Sequence, residues 1–365
     1  MNFKMRLDPS SILEAEQLAL GWLIQAHIKA NFNGFSHSKR LWLPECISWE
    51  KPYPETTGYL IENFLRFNNG GIIENSLIGL RSADWLCEIQ SSEGCFFSGV
   101  KFSKPSAFNT SQILFGLEEA FNFDRQFSYK MALVKAIEWL LNQTGTEGKW
   151  ESGLYRTGYF ASYYSRAIWP LLRTEYLAGQ REKAVKSLDF LWVKANMYYS
   201  FEDWGFDSGQ PALSHTIAYT LEGFLESAII LNREEIINYC LKSLEIFCNV
   251  IQDQGGLSAK YDTKWKACSS SKCLTGQAQL ISLLAKAFQI SSNAIFKKTA
   301  LRLLEEMLCW QIKSNKKSFN GAFPASLPIY GEYFPFRYVN WSNKFFLDAC
   351  YQMKKILPEW FDQKY

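Results

Sequence analysis

The chain has no C-x-x-C cysteine pair, only three histidines, no lysine and arginine block dense enough to neutralise a row of phosphates, and no run of about 18 apolar residues. Each absence excludes something. Without the basic block, a net charge of +3 from 39 basic and 36 acidic residues implies no nucleic-acid partner. Lys101 with Lys104, and Lys313 with Lys316 and Lys317, read as solvated loops. Nine cysteines leave one over in any full disulfide scheme, so a reducing compartment is expected. Cys268 and Cys273 lack the companions that would complete a metal site and read as buried thiols. The N-terminal stretch carries acids within its apolar residues and no signal-peptide pattern, and the absence of a long apolar run implies no membrane span. The expectation is a soluble cytoplasmic protein.

What the chain does have is apolar mass and repetition. At 47% hydrophobic and 16% aromatic it can fill a large core, which excludes disorder. One phrase recurs six times: a loop rich in glycine and aromatics, a small or hydroxyl residue, then a helix of small and apolar residues. Its copies are "PETTGYLIENFL" from Pro54, "FNTSQILFGLEEA" from Phe108, "YFASYYSRAIWPLL" from Tyr159, "LSHTIAYTLEGFLES" from Leu213, "CLTGQAQLISLLAKA" from Cys273 and "VNWSNKFFLDACYQM" from Val339. Between them run more charged helical segments; in one, Leu133, Ile137, Leu140 and Leu141 mark a single buried stripe. Twelve alternating helices predict an all-α fold, an (α/α)6 toroid of six inner and six outer helices forming a single domain over 1–365.

Connections from inner to outer helices read as about 4 to 9 residues, and those from outer to inner as about 15 to 27. The long loops all precede inner-helix N-termini, so they gather at one face and wall a central funnel. Pooled, they supply Trp42, Trp49, Tyr53, Phe108, Trp150, Tyr155, Tyr163, Trp204, Tyr261, Trp265, Tyr330, Tyr333 and Trp341 beside Glu55, Asn109, Arg156, Arg166, Asp203, Asp207, His215, Asp262, Glu332 and Arg337. Aromatic faces stack on sugar rings while amides, carboxylates and guanidinium groups fix hydroxyls, so a carbohydrate ligand is expected, whether polysaccharide, oligosaccharide or activated-sugar precursor.

The Gly-aromatic loops and the phrases that follow them resemble the six-hairpin (α/α)6 toroids, which include terpenoid cyclases and prenyltransferases, glycosidases, polysaccharide lyases and sugar epimerases. More narrowly, "SHTIAYTLEGFLES" with "GAFPASLPIYGEYFPFRYVNWSNKFFLDA" resembles VpsJ-like bacterial polysaccharide-biosynthesis proteins. That resemblance implies a part in building or trimming surface glycans and transfers no catalytic residue. The cyclase branch lacks its D-x-D-D acid motif here, and the zinc ligands of prenyltransferases and LanC-like cyclases are missing too.

Two chemistries stay open. Glycoside hydrolysis needs two carboxyl groups across the scissile bond; the candidates are Glu55, Asp203, Asp207, Asp262 and Glu332, of which Asp207 and Glu332, each flanked by glycine and aromatics, are the expected pair. Their amide variants should then abolish activity. Lyase or epimerase chemistry needs a base for a proton α to a carboxylate, a role for His215 with Tyr219, supported by Tyr155, Arg156, Arg166, Asn109 and Arg337. Ser214 is expected to cap that helix, His27 to lie on an outer helix and His37 in an exposed loop. A cluster of Asp203, Asp207 and Asp262 is the one place for a metal, but carboxylates alone specify none, and no cofactor is called for. A cyclase would instead need an apolar cavity with one isolated acid, and a non-catalytic glycan binder would turn its carboxylates away from the funnel.

Overall fold

A computed structural model describes residues 7–67, 73–177 and 179–361. Outer and inner helices alternate: α1 (Pro9–Lys29), α2 (Pro54–Arg66), α3 (Ile73–Ile89), α4 (Ala107–Asp124), α5 (Phe127–Asn142), α6 (Ser165–Arg173), α7 (Arg181–Trp192), α8 (Ser214–Leu231), α9 (Glu234–Asp253), α10 (Leu274–Ser291), α11 (Ala294–Trp310) and α12 (Asn340–Ile356), followed by the short α13 (Pro358–Phe361). The even-numbered helices α2 to α12 each pack on the next, and α12 packs back on α2, which closes an inner ring. Around it, α3, α5, α7, α9 and α11 each pack on the inner helix before them, and α1 covers α12. The chain is an (α/α)6 toroid.

Burial follows from position in the rings. Inner helix α8 buries every residue from Ser214 to Leu221, whereas outer helix α9 buries one stripe, Ile236, Cys240, Ser243, Leu244, Phe247, Cys248 and Ile251, and leaves its other faces partly or fully wetted. Inner helices meet at backbone range. A Cβ on Gly116 would lie 2.1 Å from the Gly58 carbonyl oxygen, and one on Gly276 would lie 2.3 Å from Ser214 Oγ.

Three inner-to-outer turns are tighter than expected, formed by Arg125 with Gln126, Asn232 with Arg233 and Ser292 with Asn293. Left-handed residues at Arg125 (φ 56°), Asn232 (φ 54°) and Ser292 (φ 56°) end their helices and reverse the chain at once. The long loops collect at the opposite end. Short antiparallel pairs tie neighbouring loops together: β1 (Ser38–Arg40), β2 (Ala212–Leu213), β3 (Lys260–Tyr261), β4 (Lys272–Cys273), β5 (Ser326–Leu327) and β6 (Arg337–Val339) pair as β1 with β6, β2 with β3 and β4 with β5.

Helix starts depart from expectation in one place. Ser106 caps α4, its hydroxyl accepting from Asn109 N at 3.2 Å. Ser214 does not cap α8: it is already the first helical residue, Leu213 holds the cap position, and no side chain caps the helix. All nine cysteines are free thiols; Cys273 is buried as expected, but Cys268 is exposed.

Candidate functional site

Within the mouth of the inner ring lies a cavity of about 430 Å³. Aromatic rings follow one another around its wall: Tyr163 meets Phe108 at 5.5 Å between centroids, Phe108 meets Tyr219 at 5.3 Å, Tyr219 meets His215 at 4.4 Å and His215 meets Tyr333 at 5.5 Å. Phe334 meets Trp341 at 5.1 Å, Trp341 meets His37 at 4.8 Å and His37 meets Tyr53 at 5.1 Å. Burial holds the Tyr59, Tyr163, Tyr219 and Tyr333 phenols well above their usual range, so these hydroxyls stay protonated at neutral pH.

Among the described residues, one carboxylate lines this cavity. Glu55 sits in the first turn of α2, and its remaining exposure faces the cavity. Burial pushes its pKa up to about 7, against the hydrogen bond from the Tyr53 hydroxyl (2.9 Å to Oε2) and the charge of Arg166. Asn109 Nδ2 in turn donates to the Tyr53 oxygen at 3.3 Å. A carboxyl so placed is divided between acid and carboxylate at neutral pH, the condition for moving a proton in both directions.

His215 opens α8, which stands opposite α2 in the inner ring. Its Nδ1 lies 2.6 Å from Gln279 Oε1; since that oxygen accepts, Nδ1 carries the proton and Nε2 keeps its lone pair. Burial lowers its pKa to about 4, with Arg166 adding to the effect and Gln279 opposing it, so the ring is neutral at physiological pH. His37, expected in an exposed loop, also lines the cavity, because pairing of β1 with β6 folds its loop over the ring mouth. Its Nδ1 meets Glu50 Oε2 at 2.8 Å, and Glu50 also accepts from Ser38, Arg40 and Arg337. Burial would raise Glu50, but those bonds, His37's first, hold it well below the usual carboxylate range.

Below the cavity, one or two turns further along the inner helices, charged residues close the ring. Arg166 pairs with Glu222, Lys344 and Arg66 with Asp348, and Arg173 with Glu62 and Glu118. Arg166 and Lys344 stand 5.3 Å and 4.9 Å from the ring centres of Tyr219 and Tyr59. With these pairs occupying the ring interior, the site is a blind pocket.

Ten of the residues singled out from sequence line the pocket: Tyr53, Glu55, Phe108, Asn109, Tyr155, Tyr163, His215, Tyr219, Tyr333 and Trp341. The expected carboxylate pair does not. Asp207 is exposed and pairs with exposed Arg156 at 2.9 Å, while Glu332 is exposed, paired with Lys260 and bonded by Ser269 at 2.9 Å. Neither has an apolar surround; Lys260 holds Glu332 below its usual range, the reverse of what an acid catalyst needs. Asp203 binds Lys194 and Ser208, and Asp262 accepts from the backbone N–H groups of Lys264 and Lys266, which closes a turn. Among the described residues no three His, Cys, Asp or Glu side chains gather to hold a metal.

Trp150, Trp204 and Trp265 lie in the core beneath the loops, with Trp150 Nε1 donating to Ser187 and Trp265 Nε1 to the Tyr198 carbonyl. Arg166 lies under the pocket floor, Arg337 is drawn to Glu50, and Tyr330 is exposed on the rim. The loop between α9 and α10 gives the pocket no lining residue, so five of the six long loops build it. Sequence had not singled out Tyr59, Phe206 or Phe334, and had assigned His37 to an exposed loop; Tyr59 was legible, one turn after Glu55 on the same helix face.

No protein-family model and no curated protein sequence matches the chain. Solved structures do. An unsaturated glucuronyl hydrolase specific for heparin superposes with a TM-score of 0.72 at 13% identity over 95% of this chain and 98% of its own. A D-mannose isomerase gives 0.74 at 12% identity over 98% and 100%, and a sugar epimerase from a ruminal bacterium gives 0.64 at 15% over 93% and 98%. At such identities the likeness establishes the toroid and no residue roles.

Proposed function

We propose that the chain is a carbohydrate-modifying enzyme that moves protons on a small neutral sugar, in the manner of an aldose–ketose isomerase. The observation that carries this reading is a single carboxyl with a pKa of about 7, across a blind aromatic pocket from a neutral histidine. Glu55 takes the proton from C2 of the open-chain aldose, a C1–C2 double bond forms, and the carbonyl electron pair moves onto O1 to give an enediolate. The same carboxyl returns the proton to C1. His215 Nε2 accepts the O2 proton and passes it to O1, so the ketose leaves with atoms and charge balanced. Protonated tyrosine hydroxyls around the pocket bind the remaining sugar hydroxyls.

Pocket size and charge narrow the substrate. About 430 Å³ is near the small end of the roughly 300–1,000 Å³ typical of ligand sites, which suits a monosaccharide or a chain end better than a polysaccharide strand. Lys104, on the exposed rim, is the one lysine or arginine of the lining, so the walls offer a uronate carboxylate little. A two-carboxylate hydrolase finds no second acid in the lining. One acid among aromatics also matches the requirement for a terpenoid cyclase, but a carboxyl with a pKa of about 7 is too weak to protonate an alkene. Nine free thiols suit a reducing cytoplasm, and service to surface-polysaccharide synthesis through its sugar supply belongs to the same proposal.

The experiment is incubation with a panel of aldoses and ketoses in D2O, followed by proton NMR for ketose formation and for deuterium at C2. Exchange with at least one sugar, lost in Glu55→Gln, supports the reading. Sugars that bind without any exchange would make the chain a binder and sink it.

A further inference from the structure

A second hollow, of about 550 Å³, lies on the outer flank of the toroid, where the C-terminal half of α1, the turn after β1 and the loop leading to α12 converge. Its walls carry Lys29, Lys39, Arg40, Lys316 and Lys317 against one acid, Glu45. That acid is already committed: it pairs with Lys39 and accepts from Trp49 Nε1 at 3.3 Å and Ser318 Oγ at 3.2 Å. Lys39 is buried, its ammonium also donating to Ser48 at 2.8 Å, and Arg40 is turned to Glu50. Lys29, Lys316 and Lys317 have no ion pair among the described residues. Neighbouring Lys313 does pair, with Glu14 at 2.8 Å, and lies outside the hollow.

Three lysines without an ion pair among the described residues, from segments nearly 300 residues apart in sequence, thus line one hollow, and a hollow lined by one sign of charge concentrates the field. In sequence, Lys316 and Lys317 read as a solvated loop; folded, they line the same hollow as Lys29, with the hydrogen-bonding side chains Gln25 and Ser318. We propose that this hollow binds a phosphate or pyrophosphate group, free or carried by a sugar. Three cations suit a dianion better than a carboxylate, and concavity suits a small ligand better than a membrane plane.

Isothermal titration of the full chain with sodium pyrophosphate, inorganic phosphate and a hexose 1-phosphate, at an ionic strength held constant with NaCl, tests this. Saturable single-site binding is expected, weakened about tenfold or more in a Lys316→Ala, Lys317→Ala double variant and unchanged in Lys313→Ala. Tighter binding of the hexose phosphate identifies a phosphorylated sugar as the source; equal binding identifies the free anion. Absent or unsaturable heats, or equal weakening by Lys313→Ala, overturn the site. All three lysines are exposed, so unchanged circular dichroism melting is the folding control.

Discussion

The Tyr53 hydroxyl donates to Glu55 Oε2 across 2.9 Å while accepting from Asn109 Nδ2 at 3.3 Å, so a phenol and an amide hold the pocket's one carboxylate in a fixed orientation. Tyr53 ends the first long loop and Asn109 opens α4, and the bond chain therefore joins two neighbouring inner helices at the mouth. The same bonds are too weak to cancel the effect of burial on Glu55. Its protonation is the property on which the proposed chemistry turns.

Glu55→Gln should lower kcat by about 10²- to 10⁴-fold, the usual worth of a positioned general base. It should also alter stability with a definite sign. The folded pKa of about 7 lies above the unfolded value near 4.5, so the native state holds the proton longer and stability falls as pH rises through that window. Chemical denaturation should show the variant gaining on the wild type above pH 7, by about 1–2 kcal/mol after allowance for solvent in the pocket, with no gain at pH 4.5.

His215 responds in the opposite direction. Its folded pKa near 4 lies below the unfolded value of 6.5, so the unfolded state binds the proton first and stability is lost as pH falls from 6.5 towards 4. Gln279→Glu would set a carboxylate on Nδ1, and NMR titration should find the His215 pKa raised by about 1 unit or more. An unmoved titration would mean that this contact does not govern the ring.

Asp207→Asn and Glu332→Gln should leave kcat/KM within about twofold of wild type and stability within about 0.5 kcal/mol, as exposed substitutions do. A large loss of activity in either would restore the two-carboxylate hydrolase.

Gly116→Ala should destabilise the fold by about 1–3 kcal/mol, since its Cβ would sit 2.1 Å from a backbone oxygen of α2 and the two helices would have to part. Thermal melting measures it; an unchanged midpoint would show that the inner ring can widen freely.

The toroid was legible because its repeat is written locally. Inner helices such as "TIAYTLEGFLES" are less polar all round, outer ones such as α9 carry one stripe, and long loops alternate with short turns. Glu55, His215, Tyr219 and Trp341 were also reachable, since each lies within the first turns of an inner helix and the mouth must be built from those turns. What the chain order could not separate was inward from outward among loop residues. Asp207 and Glu55 have similar neighbours in sequence, yet one meets Arg156 in solvent and the other meets Tyr53 inside the pocket. Loop residues carry no helical period to mark a face, and a carboxyl's pKa depends on burial and partners from distant segments, so the role of each acid was decided only when the ring closed.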